Sequence, residues 1–266
     1  MTRCHSYRSA EALEAPRPPD RRRHRSGKLR ICKERLPSQH PTMRTRNALG
    51  LTFVLAAASC VCEAQSTATL NLLQKAMALQ PDQHEGELSY LRYCAACHRR
   101  NGWGNGPREV PTLAGQQDSY LLEQLIKFSN RDRDKPEMHE VVTKPQLADP
   151  QSLRNVSSYI ASRPRDPSPE RGDGTLVEKG ARLYAQSCAI CHGNDGEGDR
   201  DDVIPAIGGQ QYHYLLVRLR AFSRNHASQE RGTLEPAVVN VLSKLTPDDI
   251  KAVADYTSRL PALRAR

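Results

Sequence analysis

The chain has 266 residues, with 39 Lys+Arg against 30 Asp+Glu and 5% aromatic residues. Its formal charge of +9 points to a nucleic-acid or membrane partner only until the charges are placed: residues 1–64 hold 13 Lys+Arg against 5 Asp+Glu, and residues 65–266 hold 26 against 25. The body of the protein is nearly neutral, which excludes a basic nucleic-acid-binding domain there.

Residues 1–42 are rich in Arg and Pro (Pro16-Arg17-Pro18-Pro19-Asp20-Arg21) and show no apolar periodicity. They read as disordered sequence, or as sequence translated from a start placed too early. Residues 43–64 have the pattern of a secretory signal. A short basic stretch, Met43-Arg44-Thr45-Arg46, precedes an apolar run from Ala48 to Val61, and Cys62-Glu63-Ala64 offers small residues for cleavage. The run is too short to span a bilayer comfortably. A lipoprotein cleavage before Cys60 fits poorly, because Ala57 stands where a larger aliphatic residue is usual. Export to the periplasm is the expectation, with peripheral membrane association left open.

Two Cys-x-x-Cys-His pentapeptides follow, 94 residues apart: Cys94-Ala95-Ala96-Cys97-His98 and Cys188-Ala189-Ile190-Cys191-His192. Cysteines three apart share one side of a helical turn, so both can form thioethers to the vinyl groups of one porphyrin. The next residue brings an imidazole to the iron. A lone Cys-x-x-Cys also suits a redox dithiol or half a zinc site. Here the pattern occurs twice, and the two motifs use every cysteine after residue 64. Two covalent haem c groups are therefore expected.

The halves match at the same offset beyond these motifs: Gly86 with Gly180, Tyr90 with Tyr184, Gly102 with Gly196, Pro111 with Pro205, Gln116-Gln117 with Gln210-Gln211, and Tyr120-Leu121-Leu122 with Tyr214-Leu215-Leu216. One domain has been duplicated. The boundaries read as domain 1 over 80–162, a Pro-rich linker over 163–173 and domain 2 over 174–266. The prolines of the linker predict an extended, fairly stiff connector. Helices are predicted over 85–93, 119–128 and 150–161 in copy one, and over 176–186, 211–222 and 247–260 in copy two. Thr246-Pro247-Asp248-Asp249 is a strong helix start. No strand pattern competes.

Over about residues 80–266 the chain resembles the dihaem cytochrome c4 family, through the Cys-x-x-Cys-His motifs, the segments Pro111-Thr112-Leu113-Ala114-Gly115-Gln116 and Pro205-Ala206-Ile207-Gly208-Gly209-Gln210, the Tyr-Leu-Leu helix and the closing helix with its Tyr. The resemblance implies an all-α protein, two tandem class I cytochrome c-like domains each wrapped around a haem. It implies that Gly86 packs on Tyr159 and Gly180 on Tyr256. It implies further that the Pro111 and Pro205 carbonyls orient His98 and His192, and that Met138 is the sixth ligand of the first iron.

Copy two lacks a Met after its haem motif. Counting back from Tyr256 reaches Leu234-Glu235-Pro236, which offers no suitable donor. His226 in the distal loop is the tentative ligand of the second iron, His213 is a weaker one, and an open iron is the third possibility. The acidic residues Asp195, Glu197, Asp199, Asp201 and Asp202 read as a solvated face. Trp103 either covers a haem edge or packs locally.

The function implied is single-electron transfer to redox partners: a quinol-oxidising complex, a terminal oxidase or a dehydrogenase. The haem subunit of a flavocytochrome-type dehydrogenase is a variant of that reading. A dihaem peroxidase-like enzyme or gas sensor, using an open second haem, is the rival.

Overall fold

In each half, two helices cross so closely that a glycine marks the contact. The computed structural model describes residues 69–224 and 236–261. Residues 1–42, the expected signal segment 43–64, and His226, Leu234 and Glu235 lie outside the described residues.

Copy one contains α1 (69–77), α2 (Gln83–Tyr93), α3 (Ala95–His98), a 3-10 turn (Gly106–Arg108), α4 (Asp118–Ser129), α5 (Pro136–Val142) and α6 (Pro150–Ala161). Copy two contains α7 (Val177–Ser187), α8 (Ala189–His192), α9 (Tyr212–Arg224), α10 (Pro236–Leu242) and α11 (Pro247–Arg259). The six predicted helices all form, with ends shifted by at most two residues. Two isolated bridges, Asn105 with Val110 and Asp199 with Ile204, take the place of any strand among the described residues.

Local chemistry explains the helix starts. The Asp82 carboxylate accepts from His84 N at 2.9 Å and Glu85 N at 3.0 Å, capping α2. Asp149 accepts from Ser152 N at 3.0 Å, ahead of Pro150 in the first turn of α6. Thr246 and Asp249 form a reciprocal capping box on α11, with Pro247 between them. Each such cap contributes about 1 kcal/mol.

α2 crosses α6, and α7 crosses α11. A Cβ on Gly86 would overlap the Asn155 carbonyl oxygen and stand 2.8 Å from Tyr159 Cβ. On Gly180 it would overlap the Ala252 carbonyl oxygen and stand 2.8 Å from Tyr256 Cβ. Beside each crossing a ring pair tilts together, Tyr90 with Tyr159 at 5.8 Å and Tyr184 with Tyr256 at 5.5 Å.

The core of copy one gathers Tyr90, Ala114, Leu121, Val156, Tyr159 and Ile160. Helix α1, which sequence reading did not anticipate, adds Leu73 and Ala76 against Leu122, Ile126 and Leu153. Copy two buries Leu215, Leu216, Ile250 and Ala254. The linker has no helix between Ser162 and Leu176, but it is not a free spacer. Trp103 Nε1 donates to the Pro164 carbonyl at 2.9 Å, and Arg165 and Asp166 are buried.

Candidate haem-binding sites

Each Cys-x-x-Cys-His motif straddles a helix junction. Cys94 ends α2 and begins α3, with its N–H donating to Tyr90 O at 2.9 Å, and His98 N donates back to Cys94 O at 3.0 Å. Copy two repeats this, Cys188 N to Tyr184 O at 2.8 Å and His192 N to Cys188 O at 3.0 Å. The tyrosines clamp the far end of the motif: Tyr90 Oη donates to Arg99 O and Tyr184 Oη to Gly193 O, both at 2.7 Å. This turn puts both cysteines and the histidine of each motif on one surface.

The histidine rings are held from behind. His98 Nδ1 lies 3.4 Å from the Pro111 carbonyl oxygen, and His192 Nδ1 lies 3.0 Å from that of Pro205. With Nδ1–H donating there, Nε2 keeps its lone pair for a metal. Burial lowers both imidazole pKa values, with the proline hydrogen bonds opposing it, so the neutral ligand form is favoured. Burial also pushes the Cys94 thiol up to about 12 and the Cys188 thiol up to about 11, with the neighbouring cysteine adding to each. A redox dithiol needs the opposite shift on its attacking cysteine.

The two sites meet through the residues after each proline. Thr112 N donates to Gln210 Oε1 at 2.7 Å, and Gln210 Nε2 returns a bond to Thr112 O at 2.9 Å. The pattern recurs with the domains exchanged: Ala206 N to Gln116 Oε1 and Gln116 Nε2 to Ala206 O, both at 2.8 Å. Gln117 Nε2 reaches Glu197 O at 3.0 Å, and Gln211 Nε2 reaches Trp103 O at 2.7 Å. Every one of these pairs maps onto its counterpart by the 94-residue offset. The peptide group whose C=O faces His98 is the one whose N–H is held by the other domain. An ion-pair node closes one side of the interface. The Asp118 carboxylate takes Arg154 Nη1 at 2.9 Å and Arg200 Nε at 2.6 Å. Burial alone would raise the pKa of Asp118, but the two guanidinium groups outweigh it and hold it below the usual carboxylate range.

In the sequence the paired glutamines stand out only as repeat identities. The acidic loop, expected as a solvated face, is so only in part. Asp201 is exposed, but Arg200 and Glu197 of that loop dock on copy one. Trp103 packs against the first core and bonds to the linker.

On the distal side, Met138 is a half-buried residue in the first turn of α5, a short helix where a loop was expected. His139 beside it faces the Phe128 carbonyl, with Nδ1 at 2.8 Å. Pro236 opens α10 as Pro136 opens α5, so Val238 stands where copy one has Met138. That revises the count from Tyr256 by three residues and still supplies no donor atom. His213 is half exposed in the first turn of α9, its Nδ1 2.7 Å from Glu170 Oε1 in the linker, which holds the ring by a hydrogen bond. Among the described residues, the buried side-chain nitrogens and oxygens with no hydrogen-bond partner belong to Arg165 and Thr257.

Twin motif turns with ring-orienting carbonyls, set in short helical domains, define a tandem c-type cytochrome. The family model described as Cytochrome c matches residues 83–164 and 177–260. Cytochrome c4 of Pseudomonas aeruginosa is 30% identical over 175 residues, covering 63% of this chain and 83% of that protein. A thiosulfate dehydrogenase electron acceptor of Stutzerimonas stutzeri is 27% identical, covering 61% of this chain and 76% of that protein. The crystal structure of reduced recombinant cytochrome c4 from Pseudomonas stutzeri superposes with a TM-score of 0.59 at 26% identity, covering 68% of this chain and all of that one. The chain belongs to the dihaem cytochrome c4 family, and its two class I cytochrome c folds make it an electron-transfer cytochrome with covalently bound haem c.

Proposed function

We propose that the chain is a periplasmic carrier of single electrons. One haem c is held by Cys94, Cys97 and His98, the other by Cys188, Cys191 and His192. The observation that carries this reading is the repeated placement of an imidazole against a proline carbonyl, at 3.4 Å for the buried His98 and 3.0 Å for the half-buried His192, directly after a Cys-x-x-Cys turn. Haem iron supplies one-electron chemistry when bound. The residues of this chain fix the axial rings, keep them neutral and lock the two sites into one frame through the glutamine pairs. Met138 is the sixth ligand of the first iron, and a thioether there favours a high potential. His226 is assigned to the second iron, because Val238 offers no donor; His/His ligation gives the lower potential of the two.

The partners are a dehydrogenase, a quinol-oxidising complex or a terminal oxidase. The name of the Stutzerimonas stutzeri relative, an electron acceptor for a dehydrogenase, supports the first of these. A flavocytochrome-type haem subunit is the same chemistry in a permanent complex.

The absence of a donor at Val238 also favours a second reading, a peroxidase-like or gas-sensing protein with an open second iron. Carbon monoxide separates the two. Reduced carrier, with both irons six-coordinate, gives little spectral change, and His226→Ala makes the second haem respond. An immediate response of the unaltered protein would replace the carrier reading with the open-iron one. Intact mass of the matured protein reads the haem count directly, and anything other than two removes the proposal.

A further inference from the structure

Arg165 is 5% exposed, and its Nε, Nη1 and Nη2 are all buried without a hydrogen-bond partner. Burial draws its pKa down only to about 10, so the guanidinium is charged at neutral pH. A hydroxyl such as that of Thr257 costs little when left unpaired. A buried unpaired cation costs several kcal/mol, roughly the scale of a domain's whole stability. Other arginines set beside buried or half-buried carboxylates are paired: Arg154 with Asp118 and Arg259 with Asp255, at 2.9 and 2.8 Å. The adjacent carboxylate does not serve Arg165. Asp166 gives its oxygens to Ser168 N at 2.9 Å and Gln211 Nε2 at 3.3 Å.

The position of the side chain is held on three sides. Trp103 fixes Pro164 before it and Gln211 fixes Asp166 after it. Its stem lies on Gly115, where a Cβ would overlap Arg165 Cγ and where φ is +66°. Gly115 belongs to the segment that runs from Pro111, behind His98, to Gln116 at the interface. A porphyrin bears two propionate carboxylates on the edge opposite its vinyl groups. Held at Cys94 and Cys97, a haem would carry those charges on the edge away from the two cysteines, of which Cys97 is exposed.

We propose that Arg165 binds a propionate carboxylate of the haem attached at Cys94 and Cys97, so that a linker residue completes the first haem site. The inference rests on the haem reading of that motif. A fork of guanidinium donors suits a carboxylate in two-point contact.

The test uses the matured full-length protein, with haem counted by intact mass and the two potentials resolved by redox titration from about pH 5 to 9. In the unaltered protein, ion pairing keeps the propionate ionised throughout, and the potential of the first haem stays flat with pH. Arg165→Gln lowers that potential, changing the oxidised-to-reduced ratio at fixed potential about tenfold or more, which is 59 mV for one electron. It also introduces a fall in potential with rising pH as the released propionate titrates. Arg165→Lys keeps the charge and restores the flat profile. A propionate step in the unaltered protein near neutral pH overturns the proposal without any variant. So does an Arg165→Gln protein with two haems and unchanged potentials, or a shift confined to the second haem. A mass without porphyrin removes the haem reading first and this assignment with it.

Discussion

The side-chain amide of Gln210 and the backbone of Thr112 close a two-bond ring across the domain interface, at 2.7 and 2.9 Å. The Thr112 N–H in that ring belongs to the same peptide as the Pro111 carbonyl behind His98. Domain 2 therefore holds the group that orients the His98 ring of domain 1, and Gln116 does the same for His192.

Gln210→Met leaves the buried Thr112 N–H and C=O unpaired, at a cost of about 2–4 kcal/mol. Thermal unfolding should show the loss. The diagnostic outcome is electronic. A peptide N–H that no longer donates makes its own carbonyl a poorer acceptor, which weakens the hold on His98 Nδ1 and raises the potential of the first haem. A change seen only in the second haem contradicts the linkage.

Gly86→Ala tests the helix crossing. Intrinsic propensity favours Ala in a helix by about 1 kcal/mol. The new methyl would meet the Asn155 carbonyl, which is backbone and cannot swing aside. Overpacking wins, and a net loss of about 1–3 kcal/mol is expected. Gly180→Ala behaves alike against Ala252. Denaturant titration measures both.

Asp118 makes the interface acid-sensitive. Its folded pKa is held below the unfolded value of about 3.9, so its contribution is present above that pH and is lost as pH falls through the folded value. Melting temperatures of the native protein and Asp118→Asn should differ near neutrality and converge in acid. A gap independent of pH would show that the carboxylate charge is irrelevant.

Arg99 follows the first haem motif with φ 64° and ψ 160°, where copy two has Gly193 at 79° and 167°. That region costs a residue with a Cβ about 1–3 kcal/mol. Arg99→Gly removes the strain, less about 0.4–1 kcal/mol for the looser unfolded chain. A stabilisation of about 1 kcal/mol, read as a higher melting temperature, is the expected result.

Much of this architecture is written in local pattern. The motifs, the offset of 94 and the six longer helices all follow from spacing and caps, which act within a few residues. What was missed acts at a distance. Gln116 and Ala206 are 90 residues apart, and only docking shows why a glutamine follows each glycine. Arg165 looks like an ordinary linker charge until its burial is known. Helix α1 was overlooked because its Leu73 and Ala76 gain meaning only against Leu122 and Leu153. Helix α5 could have been read from Lys135-Pro136-Glu137, with Pro in the first turn and an acid beside it.

The offset of 94 runs on through α4 and α9, yet the closing helices align at 97: Gly115 N donates to Ile160 O and Gly209 N to Thr257 O. Between them Pro136 and Pro236 align at 100, so copy two departs in length between α9 and α11, the stretch where Val238 stands in place of Met138. The inner faces are yoked, since altering either glutamine strands its mate across the seam. The duplicated domains therefore diverge in the segment that no glutamine ties to the partner. With the ligands proposed above, two pockets built alike would hold an electron with unequal grip, and the pair would acquire a downhill direction.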